Sequence, residues 1–116
     1  DCNEFHLQRA ETDERHLVPT TDDPDYLPVL QSVIAQTGAE FIHCQPDQEV
    51  LAVSAARERL GVRSYLPAHR TIEICQDKFE SYRCWQSAGL TVPITHRIDT
   101  PADLQRAFDE LGAPLW

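Results

Sequence analysis

The residues best suited to chemistry in this chain are Asp77 and Lys78, at the predicted start of a helix. Asp is a favoured N-cap, so the helix is expected to run from Lys78 to Ala88 and to end at Gly89. The first turn of a helix has backbone N–H groups without intrahelical partners, which favour anions, and lysine is a compact charge that suits phosphate. The pattern predicts a phosphate contact at Lys78. The alternative is a solvent-exposed lysine paired with Asp77 or Glu80.

A second candidate is Glu49, which follows the apolar segment 39–44, predicted as a buried strand. Open α/β sheets bind ligands at the carboxyl ends of their strands, so Glu49 is a candidate substrate-binding residue. The alternative is an ordinary first-turn acid that stabilises the helix dipole. His43, Cys44 and His69 could line the same edge, or could be packed or exposed residues without a role.

The elements that would position these residues alternate between strands and helices. Helix starts are predicted at 22–24, at Asp47, at Asp77 and at Thr100, and Gly38, Gly61, Gly89 and Gly112 would end those helices. Strands are predicted at 39–44, 62–66 and 90–95, with short ones at 16–19 and 115–116 and one helical turn at 71–75. The rest of segment 1–21 is predicted to be loop or a marginal helix. The alternation predicts an α/β fold with a largely parallel sheet.

Two segments resemble a known family. Asp77-Lys78-Phe79-Glu80, followed by Gly89-Leu90-Thr91-Val92-Pro93-Ile94-Thr95, resembles the ATP-grasp ligases, in which such a helix leads through a Gly-(Leu/Ile)-x-Val-Pro-x-Thr strand into the nucleotide-binding lobe. Segment 46–50 resembles an acidic helix start in the preceding domain of carbamoyl-phosphate-synthase-like and carboxylate–amine ligases. A composition shift near 67–71 agrees with a boundary there. The resemblance implies that residues 1–70 are part of a Rossmann-like pre-ATP-grasp domain and that 71–116 begin a truncated ATP-grasp domain.

The resemblance also implies a function. The protein would be a fragment of an ATP-dependent ligase that activates a carboxylate as an acyl phosphate for attack by an amine or similar nucleophile. ATP and Mg²⁺ would be cofactors of the parent enzyme, and Lys78 would contact the ATP phosphates. The family's glycine-rich loop and magnesium ligands are not in the sequence, so no catalytic residue or metal ligand is assigned and the fragment alone is expected to be inactive. The alternative is a non-catalytic α/β binding or interaction module.

The composition of the chain limits the kinds of molecule that it is expected to bind. The formal net charge is −9, and such a surface repels nucleic acid and anionic membranes. No apolar run approaches the ~20 residues of a membrane helix, and no signal peptide is visible, so a cytoplasmic location is expected. The expected partner is a small-molecule substrate, and a homodimer is left open.

The cysteines and the absent motifs narrow the function classes further. Cys2, Cys44, Cys75 and Cys84 are widely and irregularly spaced, which predicts reduced thiols rather than a disulfide framework or a zinc site. The sequence contains no G-x-G-x-x-G, Walker, H-E-x-x-H or EF-hand pattern, which argues against a dehydrogenase or a P-loop enzyme.

Overall fold

The computed structural model describes residues 1–113, and these form seven helices. They are α1 (Glu4–Arg9), α2 (Tyr26–Thr37), α3 (Asp47–Ala55), α4 (Arg57–Leu60), α5 (His69–Gln76), α6 (Lys78–Ser87) and α7 (Pro101–Leu111). The chain divides into two compact units, residues 1–72 and 73–116. That these units are a pre-ATP-grasp domain and the start of an ATP-grasp domain stays a prediction. Within the described residues, no helix is long and apolar enough to cross a membrane.

The predicted α/β fold with a Rossmann-like parallel sheet is wrong for the described residues, which are all-helical and contain no β-strand. Segments 39–44 and 62–66 meet only at one isolated parallel bridge, between Phe41 and Arg63. The Ile42 amide donates to the Arg63 carbonyl at 2.9 Å, and the Arg63 amide donates to the Glu40 carbonyl at 3.1 Å. Two extended segments with no further neighbour are marginal as a sheet, so the β-prone residues stay extended without forming strands.

The other predicted strands are also absent among the described residues. Segment 90–95 has no regular secondary structure, and two of its apolar side chains are exposed, Leu90 at 58% and Ile94 at 65%. Segment 16–19 forms no strand, although the Val18 amide donates to the Asp1 carbonyl at 3.0 Å. High β-propensity describes side chains that fit a sheet, and it cannot supply the neighbouring strand. The predicted strand at 115–116 lies outside the described residues.

The helix signals were more reliable than the strand signals. Gly38 and Gly61 have φ of 64° and 67°, so glycine suits the left-handed backbone at the ends of α2 and α4. Thr100 caps α7 in a capping box with Asp103, as the sequence predicted. Some details differ from the prediction. Helix α2 begins only at Tyr26, and α5 is longer than the single predicted turn. The predicted helix that starts at Asp47 is divided into α3 and α4, and its N-cap position is Pro46 rather than Asp47. Helix α6 ends one residue before the predicted Ala88.

The core of the first unit surrounds α3 and α4. Val53 is 1% exposed and lies in a buried cluster with Cys44, Ala56 and Leu60. Half-buried apolar side chains of α2, of α3 and of segments 39–44 and 62–66 pack against this cluster: Leu27, Leu30, Ile34, Ile42, Val50, Val62 and Leu66. The predicted apolar positions of these helices therefore do form a core, although the segments between them are not strands.

Polar contacts fix the same helices. The Gln31 side-chain amide on α2 donates to the Arg59 carbonyl on α4 at 2.9 Å. The Arg57 guanidinium donates to the Leu66 carbonyl at 2.8 Å and also to the Pro67 carbonyl. The extended segment after residue 61 is thus tied to α4 by side-chain bonds rather than by a strand ladder.

The second unit contains α6 and α7 and a small interior. Ala107 on α7 and Ser81 on α6 are buried, and the Ser81 hydroxyl donates to the Ile74 carbonyl at 2.6 Å. Large apolar side chains remain exposed in this unit: Trp85, Leu90, Ile94, Ile98, Leu104, Phe108 and Leu111. Few apolar groups leave water here, so the unit gains little hydrophobic stabilisation from its described residues.

We expect Val53→Ala to destabilise the protein by about 2 kcal/mol, because it removes buried methyl groups and leaves a cavity. Leu51→Ala is the matched control on the same helix. Leu51 is the larger side chain but is 37% exposed, so its truncation should cost less. Denaturant unfolding of both variants measures the difference, and equal losses would contradict this account of the core.

Candidate functional site

Helix α3 fixes the position of Glu49. Residues four apart lie on the same face of a helix, so the burial of Val53 turns Glu49 inward in the preceding turn. The Glu49 side chain is half-buried as a result. Its carboxylate has no hydrogen-bond or ion-pair partner among the described residues.

Glu49 lies in the wall of a cleft of about 930 Å³, which we call the Glu49 cleft. The cleft is confined to residues 1–49, and its lining includes His6, Asp22, His43 and Gln48. A smaller cavity of about 310 Å³ also has Glu49 and His43 in its lining, together with Tyr26 and Cys44. The predicted substrate-binding residue therefore lies where two cavities adjoin, in the size range of small-molecule sites.

Burial changes the acidity of two groups beside Glu49. The pKa of the Tyr26 phenol is raised well above its ordinary value, mainly by burial and then by the negative charge of Glu49. The pKa of the Cys44 thiol is raised by the same two causes in the same order. Both groups stay protonated at neutral pH, so the Cys44 sulfur is a poor nucleophile and the Tyr26 hydroxyl remains a neutral donor and acceptor.

Of the three residues that the sequence grouped with Glu49, the structure places two beside it and one elsewhere. His43 and Cys44 do share cavity walls with Glu49. His69 does not: its Nδ1 lies 2.8 Å from the Ser54 hydroxyl, which also lies 2.9 Å from the Leu51 carbonyl. Ser54 is buried, so this contact ties α5 to α3 and does not present an accessible nucleophile.

Lys78 is the first residue of α6 and the only lysine in the chain. Its side chain is exposed and makes no ion pair among the described residues. Glu80, which the sequence offered as a partner, instead pairs with Arg83 at 3.2 Å. The ammonium group is therefore free to reach an external anion.

The backbone at the start of α6 is less available than the sequence suggested. One carboxylate oxygen of Asp77 accepts from the Phe79 amide at 2.9 Å and from the Glu80 amide at 3.0 Å. These bonds, the one from Glu80 first, hold the pKa of Asp77 below its ordinary value, with a smaller contribution from the positive charge of Arg97. Because this carboxylate already occupies the helix end, a phosphate contact here would depend on the Lys78 ammonium, with Arg97 as the other nearby cation.

No group of three or more metal-ligating side chains comes together within residues 1–113. All four cysteines are free; Cys44 is buried, and Cys2, Cys75 and Cys84 are exposed. The geometry of the described residues therefore offers binding groups, an uncompensated carboxylate and a free ammonium, rather than a nucleophile paired with a base.

Sequence reasoning missed Tyr26. Its side chain is 4% exposed, and it forms part of the wall of the smaller cavity. The signal was available, because Tyr26 lies four and eight residues before Leu30 and Ile34, on the apolar face of α2. A polar aromatic residue on a core-facing stripe must either find a partner or border a cavity.

Comparison with known proteins gives a partial similarity. The chain is 35% identical over 63 residues to a D-alanine–D-alanine ligase of Acidovorax ebreus (strain TPSY). The matched segment is 54% of this chain and 19% of that ligase, so the chain spans about a fifth of the relative's length. No protein-family model matches the chain.

We expect Cys44 to react at least about tenfold more slowly with a thiol reagent at pH 7 than the three exposed cysteines, since its thiol is buried and its pKa is raised. A stopped-flow disulfide-exchange assay should resolve three fast thiols and one slow thiol. Cys44→Ala should remove only the slow phase, and Cys75→Ala, the control, only part of the fast phase. Four equal rates would contradict the placement of Cys44.

We expect acid to destabilise the second unit through its helix caps. The folded-state pKa values of Asp77 and Asp103 lie below the ordinary value of 3.8, chiefly through the backbone bond from Glu80 and the side-chain bond from Thr100, respectively. Their stabilising effect is therefore fully present well above the ordinary pKa and is lost as the pH falls through the lowered folded-state pKa. The double variant Asp77→Asn/Asp103→Asn keeps side-chain acceptors that do not titrate, so its stability should fall less steeply in acid. If the free energy of unfolding falls equally steeply with pH in the wild type and in the double variant, the two caps do not titrate as described.

Proposed function

We propose that this chain is part of an ATP-dependent ligase that activates a carboxylate as an acyl phosphate for attack by an amine. The similarity to D-alanine–D-alanine ligase supports this, because joining two amino acids forms an amide between a carboxylate and an amine. The resemblance of segments 77–80 and 89–95 to ATP-grasp ligases points to the same chemistry. The similarity is partial, so the activity belongs to the whole protein.

The observation that supports the nucleotide site best is the free ammonium of Lys78 at the start of α6. Bound ATP would supply the phosphoryl group, and Mg²⁺ would neutralise part of its charge. Lys78 would hold a phosphate oxygen by a charge-assisted hydrogen bond. The described residues contain no metal-ligand cluster, so no role in binding Mg²⁺ is assigned to them.

A non-catalytic binding module remains the second candidate, and one observation favours it. The Asp77 carboxylate already bonds two amides at the start of α6, which is how an ordinary capped helix begins. In that case Lys78 would be a solvated surface residue, and its removal would change no ligand affinity.

We expect Lys78→Ala in the full-length protein to weaken ATP binding by roughly tenfold to a hundredfold, since a hydrogen bond to a charged group contributes about 1.5–3 kcal/mol. The free energy of unfolding should change by less than about 0.5 kcal/mol, because the side chain is exposed and unpaired. Calorimetry measures the first quantity and denaturant unfolding the second.

Arg83→Ala is the matched control, because it removes an exposed cation from the same helix. It should leave ATP affinity within about twofold of the wild type, while Lys78→Arg should retain part of the affinity. Equal affinities for the wild type and Lys78→Ala would exclude Lys78 from the nucleotide site and favour the binding module.

A further inference from the structure

The Glu49 carboxylate is an uncompensated charge inside a cleft. It is half-buried, and no described residue donates a hydrogen bond to it or forms an ion pair with it. A carboxylate that loses water without gaining a partner costs free energy, so such a group suits an external cation or donor. This distinguishes Glu49 from Glu40, which pairs with Arg63 at 3.1 Å in the same unit.

A second, independent group faces the same place. Tyr26, the first residue of α2, is 4% exposed. At neutral pH the Glu49 carboxylate is the charge that acts on this phenol, because the Cys44 thiol beside it stays protonated. Tyr26 lies in the wall of the smaller cavity together with Glu49 and Cys44, so Tyr26 and Glu49 border the same space. A phenol hydroxyl beside a cavity can bond a ligand there, because it is both a donor and an acceptor.

The lining of the Glu49 cleft has the charge of a cation site. It contains no lysine or arginine side chain, while Glu49 and Asp22 contribute carboxylates. Asp1 adds a third carboxylate, which accepts from the Asn3 amide at 2.8 Å. The smaller cavity includes Arg15, whose guanidinium donates to the Gln8 carbonyl. The carboxylates of the two linings outnumber this one arginine, and an anionic ligand would meet repulsion at Glu49.

We propose that the Glu49 cleft binds a small molecule through a protonated amine, with the Glu49 carboxylate as counter-charge and the Tyr26 oxygen as a further acceptor. A metal ion suits the place less well, because no described cluster of ligands surrounds Glu49. Resting on the ligase function proposed above, the ligand is an amine-bearing substrate of that reaction. Glu49 binds its ammonium group, and the Tyr26 hydroxyl remains protonated.

The test uses three probes of similar shape and different charge. Alaninamide carries an ammonium group, lactamide has a hydroxyl in its place, and lactate is an anion. Ligand-observed NMR titration of the full-length protein at pH 7 gives a dissociation constant for each. We expect alaninamide to bind at least about tenfold more tightly than lactamide, because only the cation gains the charge-assisted contact, and lactate to bind most weakly.

Two variants assign the contacts. Glu49→Gln should weaken alaninamide binding about tenfold and remove the preference over lactamide, and Tyr26→Phe should weaken it about fivefold. Glu58→Gln is the control, since Glu58 is an exposed acid of the same unit outside both linings, and it should change nothing. A thermal melt of each variant separates lost binding from lost folding, and Tyr26→Phe tests the cleft if Glu49→Gln does not fold.

The outcomes separate this proposal from the ligase proposal. No preference for alaninamide over lactamide, or a preference that survives in Glu49→Gln, would overturn the amine site even if ATP binds normally. A Glu49-dependent preference in a protein that shows no ATP affinity by calorimetry would support the amine site and remove the ligase function. ATP binding that is unchanged by Glu49→Gln, together with loss of the alaninamide preference, is the result expected if both proposals hold.

Discussion

The burial of one face of α3 is the constraint on which the first unit depends. Val53 contacts the cluster of Cys44, Ala56 and Leu60, and this fixes the rotation of the helix about its axis. Since a helix repeats its faces every three to four residues, the same rotation that buries Val53 brings Glu49 partly out of water. Hydrophobic packing thus overcomes the preference of a carboxylate for full solvation. A helix free to rotate would expose Glu49 and leave the cleft without its charge.

At the start of α6, the Asp77 carboxylate and an external phosphate compete for the same backbone N–H groups. A helix end attracts anions, but an aspartate in the sequence is always present at that end, whereas a dissolved phosphate must be recruited. Asp77 therefore satisfies the Phe79 and Glu80 amides, and its negative charge opposes a second anion at that point. What remains is the Lys78 ammonium, on a side chain long enough to hold its charge away from the cap. Arg97 is near enough to act on Asp77, yet its guanidinium is bonded to Asp99 at 3.0 Å.

The sequence predicted the helices well because their signals are local. Gly38 and Gly61 stop helices through their own backbone freedom, and Asp77 and Thr100 cap helices through their own side chains. Strands failed because their formation depends on a neighbour that the local sequence does not encode: segment 90–95 has the composition of a strand and no partner among the described residues. For the candidate site, Glu49 and Lys78 could be named from their positions, but the unpaired state of each could not. The spacing of Tyr26 from Leu30 and Ile34 indicated a position on the apolar face of α2, but its place in a cavity wall with Glu49 depends on tertiary packing.

The charge distribution sharpens the difference between the two candidate sites. A formal net charge of −9 makes the surface repel anions at long range, but screening limits that effect to about 8 Å at physiological salt. Phosphate affinity at α6 therefore depends on short-range contact with a cation, and the chain has a single lysine for it. In the Glu49 cleft the overall charge and the local charge have the same sign, so both favour a cation. An amine is thus attracted by the whole surface and held by one carboxylate, whereas a phosphate must be held against the surface by Lys78 and the cations near it.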